Sequence, residues 1–121
     1  MVGAGGCIGS LMRYGMTLLT QGVSISFPYG TLSANLLGCL LVGMIMQLAV
    51  QTDWLTSDAR LFLATGVCGG FTTLSSTIYE LMQFFRSGEW GYASFYLVAT
   101  VLGCVLTFVL GALLVKAVIR V

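Results

Sequence analysis

The residues best equipped for chemistry stand together between Gly69 and Glu80, in the stretch "GGFTTLSSTIYE": two glycines, five serines and threonines, and a carboxylate. Hydroxyl groups both donate and accept hydrogen bonds, so a dense set of them suits the replacement of water around a small ion. A lone intramembrane carboxylate suits proton exchange or hydrogen-bond acceptance. Other chemistry is poorly provided for. Histidine, the commonest general base and imidazole ligand, is absent. The four cysteines, Cys7, Cys39, Cys68 and Cys104, fall inside apolar segments at no metal-ligand spacing and read as small packing residues. No catalytic site is expected.

These groups are embedded in a chain of 121 residues that is 58% hydrophobic and 7% charged, a composition that belongs in a bilayer. Uncharged runs cover residues 14–52, 61–79 and 90–115, and a spanning helix needs roughly 20 apolar residues. The chain is therefore predicted to be all-α, a single four-helix transmembrane domain over residues 1–121, with spans at Val2–Thr20, Tyr29–Gln51, Ser57–Phe85 and Trp90–Ile119. The third span is predicted to break around Gly69 and Gly70. The linkers are short: "QGVSISFPYG" carries the only proline, and "RSGEW" reads as a tight glycine turn. The N-terminus lacks the basic region and cleavage site of a signal peptide, so the first helix is expected to remain. Four spans place Arg60, Lys116 and Arg120 on one side and Arg86 on the other. So small a bias barely sets orientation, which leaves open insertion in both directions followed by antiparallel pairing. Nothing basic enough for nucleic-acid binding is present.

At about 100° per residue, Thr73, Ser76, Thr77 and Glu80 share one helical face, Thr72, Ser75 and Tyr79 an adjacent one, and Leu74, Ile78 and Leu81 lie opposite. Tyr96, Thr100, Gly103, Thr107 and Gly111 form a stripe on the last helix; Thr31, Asn35 and Gly38 cluster on the second, and Gly6, Ser10, Arg13 and Thr17 on the first. Two readings stand side by side. Small residues let membrane helices approach closely; five hydroxyls in six positions with an asparagine nearby also suit a polar pathway. A break at membrane depth survives only where protein or water satisfies it, and its freed carbonyls and new helix N-terminus can attract ions. Arg13 either pairs with Glu80, snorkels to an interface, or attracts anions.

These motifs resemble the Fluc (CrcB) family of fluoride channels over nearly the whole chain. "GGCIGSLMRY", "FPYGTLSANLLG", "TGVCGGFTTLSSTIYE" and "YLVATVLG" occur in the family's order and at its separations. The resemblance implies an antiparallel, dual-topology homodimer in the cell inner membrane, with two narrow pores that pass fluoride passively and confer fluoride resistance. It also implies a structural Na+ at the dimer axis, held by backbone carbonyls matching Gly69 and Thr72. The family's pore asparagine matches Asn35, its vestibule arginine Arg13 and its hydroxyl track Ser75, Ser76 and Thr100. Its glutamate matches Glu80 and its fourth-helix tyrosine Tyr96.

One departure stands out. The family's two pore phenylalanines are replaced here by Leu74 and Thr77. Ring edges carry partial positive charge that leucine lacks, whereas Thr77 has a hydroxyl to donate. Two alternatives follow: a nonconducting subunit that needs a phenylalanine-bearing partner in a heterodimer, and, from another class, a small multidrug-resistance exporter using Glu80 for proton exchange. The exporter scheme usually wants its glutamate in the first helix, where this chain has Arg13.

Overall fold

The computed structural model describes residues 2–20 and 28–119, without the side chain of Thr20. Most of the first linker and Arg120 lie outside the described residues. The helices are α1 (Val2–Thr20), α2 (Tyr29–Gln51), a discontinuous third span and α6 (Trp90–Val118). The third span begins as α3 (Ser57–Arg60), widens into a π-helix, π1 (Leu61–Cys68), closes through α4 (Gly69–Phe71) and resumes as α5 (Leu74–Arg86). Among the described residues three helices are long and apolar enough to cross a membrane: Tyr29–Gln51, Ser57–Arg86 and Trp90–Val118. The 19-residue α1 is not among them, because its glycines and Arg13 dilute its hydropathy.

The break differs in place from the expected one. Gly69 and Gly70 are helical, and the chain leaves the helix at Thr72 (φ −86°, ψ 155°) and Thr73 (φ −154°, ψ 123°). Side chains decide this. Interrupted backbone inside an apolar span needs replacement partners, which a glycine pair cannot supply. The threonines can: Thr72 Oγ1 donates to Cys68 O at 2.9 Å, and Thr73 Oγ1 caps α5 by accepting from Ser76 N–H at 3.2 Å. The glycines serve contact instead. A Cβ on Gly70 would come within 2.5 Å of Gly6 O, and one on Gly5 within 2.6 Å of Phe62 O. Bare backbone on both sides is what lets α1 lie against π1 and α4.

Helices α2 and α6 run parallel: Gly103 of α6 lies against Leu36 near the start of α2, and Gln51 Nε2 at the end of α2 donates to Ile119 O. Between these, Gly43 of α2 meets the backbone of Phe108, and Gly111 of α6 meets the backbone of Leu40. The glycine turn after α5 forms as expected: Gly88 takes φ +74°, its N–H donates to Phe85 O, and Glu89 N–H donates to Phe84 O. That pair of bonds closes a Schellman motif and returns α6 against α5. Leu81, Phe84, Ala93 and Tyr96 form the buried core there. Leu81 thus shares the buried side with Thr77, while Leu74 and Ile78 are exposed. Trp54 and Trp90 are exposed at opposite ends of the third span, where interfacial tryptophans are favoured.

Candidate functional site

Asn35 is the hub of the break. It is 6% exposed; its Oδ1 accepts from Thr73 N–H at 2.8 Å, and its Nδ2 donates to Thr77 Oγ1 at 2.8 Å and to Thr73 O at 3.3 Å. The amide thereby replaces, for one extended residue, the bonds a continuous helix would have made. Thr77 Oγ1 passes its own hydrogen to Thr73 O at 2.9 Å. The hydroxyl available in sequence as a donor is therefore spent within the chain.

A groove of about 350 Å³ opens beside this knot. Asn35, Thr73, Thr77 and Thr100 supply its polar wall, and Leu74 and Val101 part of its apolar one. Thr100 Oγ1 is buried and finds no hydrogen-bond partner among the described residues. Ser75 and Ser76 open α5; Ser75 Oγ lies 3.1 Å from Thr73 Oγ1, and Ser75 is exposed while Ser76 is half-buried. The first turn of α5 adds the partial positive charge of a helix N-terminus.

A second polar group lies one turn along α5. Thr31 Oγ1 donates to Glu80 Oε1 at 2.6 Å and Tyr96 OH donates to Glu80 Oε2 at 3.1 Å, so the carboxylate joins α2, α5 and α6. Glu80 is met by these hydroxyls rather than by Arg13, which is half-buried on α1. Replacing Glu80 by alanine takes the acceptor from the buried Tyr96 hydroxyl and the half-buried Thr31 hydroxyl, and a buried donor left unsatisfied costs about 1–3 kcal/mol. Glu80→Gln keeps one carbonyl oxygen. The alanine variant should therefore unfold in detergent at a lower temperature than the glutamine variant; coincident midpoints would show that the contacts carry no stability.

The expected residues thus fall into two clusters, Asn35 with Thr77 and Thr100 at the groove, and Glu80 with Tyr96, while Arg13 joins neither. Sequence reasoning placed Thr73 on the polar face of the helix but did not identify its backbone as what Asn35 grips, nor Thr31 as a partner of Glu80. The four-residue step from Thr31 to Asn35 carried a signal, since it places both on one face of α2.

Fold and site together define a helical, multi-pass membrane protein whose third span is broken beside a largely apolar groove with a few polar side chains in its wall. The chain belongs to the CrcB family: the model for CrcB-like protein, Camphor Resistance (CrcB), matches residues 1–112. It is 44% identical over 116 residues to the Fluoride-specific ion channel FluC of Chlorobium phaeobacteroides (strain BS1), covering 96% of this chain and 91% of the relative. The protein of the same name from Prosthecochloris aestuarii is 43% identical over 116 residues, with the same coverage. That from one strain of Thermus thermophilus is 46% identical over 97 residues, 79% of this chain and 77% of the relative. These relatives are named as channels, a class that performs no covalent chemistry.

Proposed function

We propose that the protein is a passive, fluoride-selective channel and not an enzyme, exporting cytoplasmic fluoride across the cell inner membrane. The names of its relatives point to the ion. The observation that carries the reading within this chain is the Thr100 hydroxyl, buried beside the groove with no partner among the described residues. A buried hydroxyl that the chain leaves unsatisfied calls for an external acceptor, and an anion is one.

Fluoride holds its hydration shell tightly, so a pore must offer close donors that replace water without trapping the ion. Thr100 Oγ1, the Ser75 and Ser76 hydroxyls and the start of α5 can take turns in that role. Asn35 and Thr77 fix the shape of the passage, and Tyr96 and Thr31 hold Glu80 as an acceptor beside it. A negative carboxylate with both oxygens occupied by donors competes less for those the anion needs. Arg13 raises the local anion concentration at a vestibule. Weak-acid trapping supplies the gradient: neutral HF enters, ionises in the less acidic cytoplasm, and the anion leaves.

All four helices span the bilayer in this reading, and two copies pair antiparallel to give two pores. The groove is open along one side of the single chain, so a second copy facing it would complete the wall. A structural Na+ on the dimer axis fits the donors of the break. Thr73 N–H goes to Asn35 rather than to the Gly69 carbonyl, which deprives that carbonyl of its usual helical donor, and Thr72 is extended, which turns its own carbonyl out of helical register. Such oxygens suit an alkali cation, whose charge would steady the break.

Purified protein in liposomes should release fluoride rapidly and retain chloride. Vesicles that keep their fluoride, with or without a sister chain, would end the reading. The multidrug-exporter alternative is not favoured by the family.

A heterodimer is the second reading, favoured by one observation: Leu74 is 74% exposed at the groove, whereas Thr77 is 2% exposed and committed to Asn35 and Thr73. Leu74→Phe should therefore be tolerated and, if ring edges assist the anion, raise flux through the homodimer. Thr77→Phe should misfold, because no space receives the ring. Equal expression and flux for both would contradict this assignment of positions.

A further inference from the structure

Cys39 and Cys104 stand four residues beyond Asn35 and Thr100 on α2 and α6. Parallel packing of these helices repeats each facing layer after one turn, so a pair of thiols follows the asparagine and threonine. Both cysteines are free and half-buried, and both line the groove.

We propose that Cys39 and Cys104 form a binding site for a soft, two-coordinate cation of the Hg2+, Ag+ or Cu+ class, bridging α2 and α6 across the groove. Thiolate sulfur selects such ions over hard ones. Among the described residues no group of three or more His, Cys, Asp or Glu side chains could hold a metal ion, so the four-ligand sphere of structural zinc is not available. A linear S–metal–S bridge needs only two ligands. Charge balance favours Hg2+ in particular. Added as mercuric chloride, it breaks two S–H bonds, forms two Hg–S bonds, and releases two protons and two chlorides to water. The bis-thiolate complex is neutral, which matters where an uncompensated charge is costly. The other cysteines provide contrast: Cys7 is exposed on α1 and Cys68 is buried.

Binding is a property of the thiol pair alone, whereas its effect on flux rests on the groove being the conduction path proposed above. The test uses the full chain in detergent in a Cys7→Ser background. Mercuric chloride should bind one ion per chain, give an X-ray absorption spectrum with two sulfur neighbours, and protect Cys39 and Cys104 together from maleimide. Either Cys39→Ser or Cys104→Ser should abolish the two-sulfur signal. A one-sulfur spectrum, or two-sulfur binding that survives either substitution, overturns the site. The spectrum is read with both thiols intact, so a misfolded serine variant cannot obscure the answer. In liposomes the ion should block fluoride efflux in the Cys7→Ser protein and leave it open when Cys39→Ser is added. Two-sulfur binding without block keeps the metal site and removes the groove from the conduction path.

Discussion

Asn35→Ala is expected to abolish fluoride efflux from reconstituted liposomes and to loosen the helix break. The alanine removes the acceptor of Thr73 N–H and the donor to Thr77 Oγ1 and Thr73 O. An unsatisfied buried backbone group costs about 1–3 kcal/mol, and water is not at hand inside a bilayer to repair it. Thr77 then loses the partner that fixes its rotamer, and the polar wall opposite Thr100 loses its shape. The local consequence can be read apart from transport, because the Thr73 amide should pass from protected to exchanging in deuterated buffer. Asn35→Asp separates geometry from charge: it retains an acceptor for Thr73 N–H but loses the amide donor and places a negative charge on the groove wall. It should keep more of the amide protection and none of the flux. Unchanged efflux in a well-folded Asn35→Ala protein would remove Asn35 from the pathway.

The second large effect is expected from Gly111→Ala and Gly43→Ala. A Cβ at Gly111 would overlap the Leu40 carbonyl, and one at Gly43 the Phe108 carbonyl. Backbone atoms cannot rotate aside as a side chain can, so α2 and α6 must separate. Overpacking commonly costs about 1–3 kcal/mol. The separation also carries Asn35 away from Thr100, so thermal stability in detergent and fluoride flux should fall together. Because both substitutions are relieved by one displacement, the double variant should lose less than the sum of the two. Gly91→Ala, where no atom lies within 4 Å of the added carbon, should leave stability unchanged. A Gly111→Ala protein as stable as Gly91→Ala would show that the close approach of the two helices is not needed.

Both predictions concern contacts that are hard to see in the linear chain. Segment length and apolarity belong to contiguous residues, so the positions of α2 and α6 were legible, as were the turn at Gly88 and the hydroxyl-rich start of α5. The first helix was legible in extent too, although Arg13 and the glycines leave it outside the set apolar enough to span. The glycine pair drew the break too early, because glycine marks both weak helix and close packing, and only the neighbouring Gly6 backbone shows that packing is its use here.

What the sequence determined by itself is the environment and the supply: an apolar, all-helical chain, with donors gathered at one depth and no histidine. Tertiary structure decided which donors are spent and which remain. Asn35 and Thr77 are tied up by Thr73, Glu80 is claimed by Thr31 and Tyr96, and Thr100 is left over. The reason is that a hydroxyl's availability depends on what a different helix places within about 3 Å of it, and that distance is set by helix packing, which no run of neighbouring residues encodes.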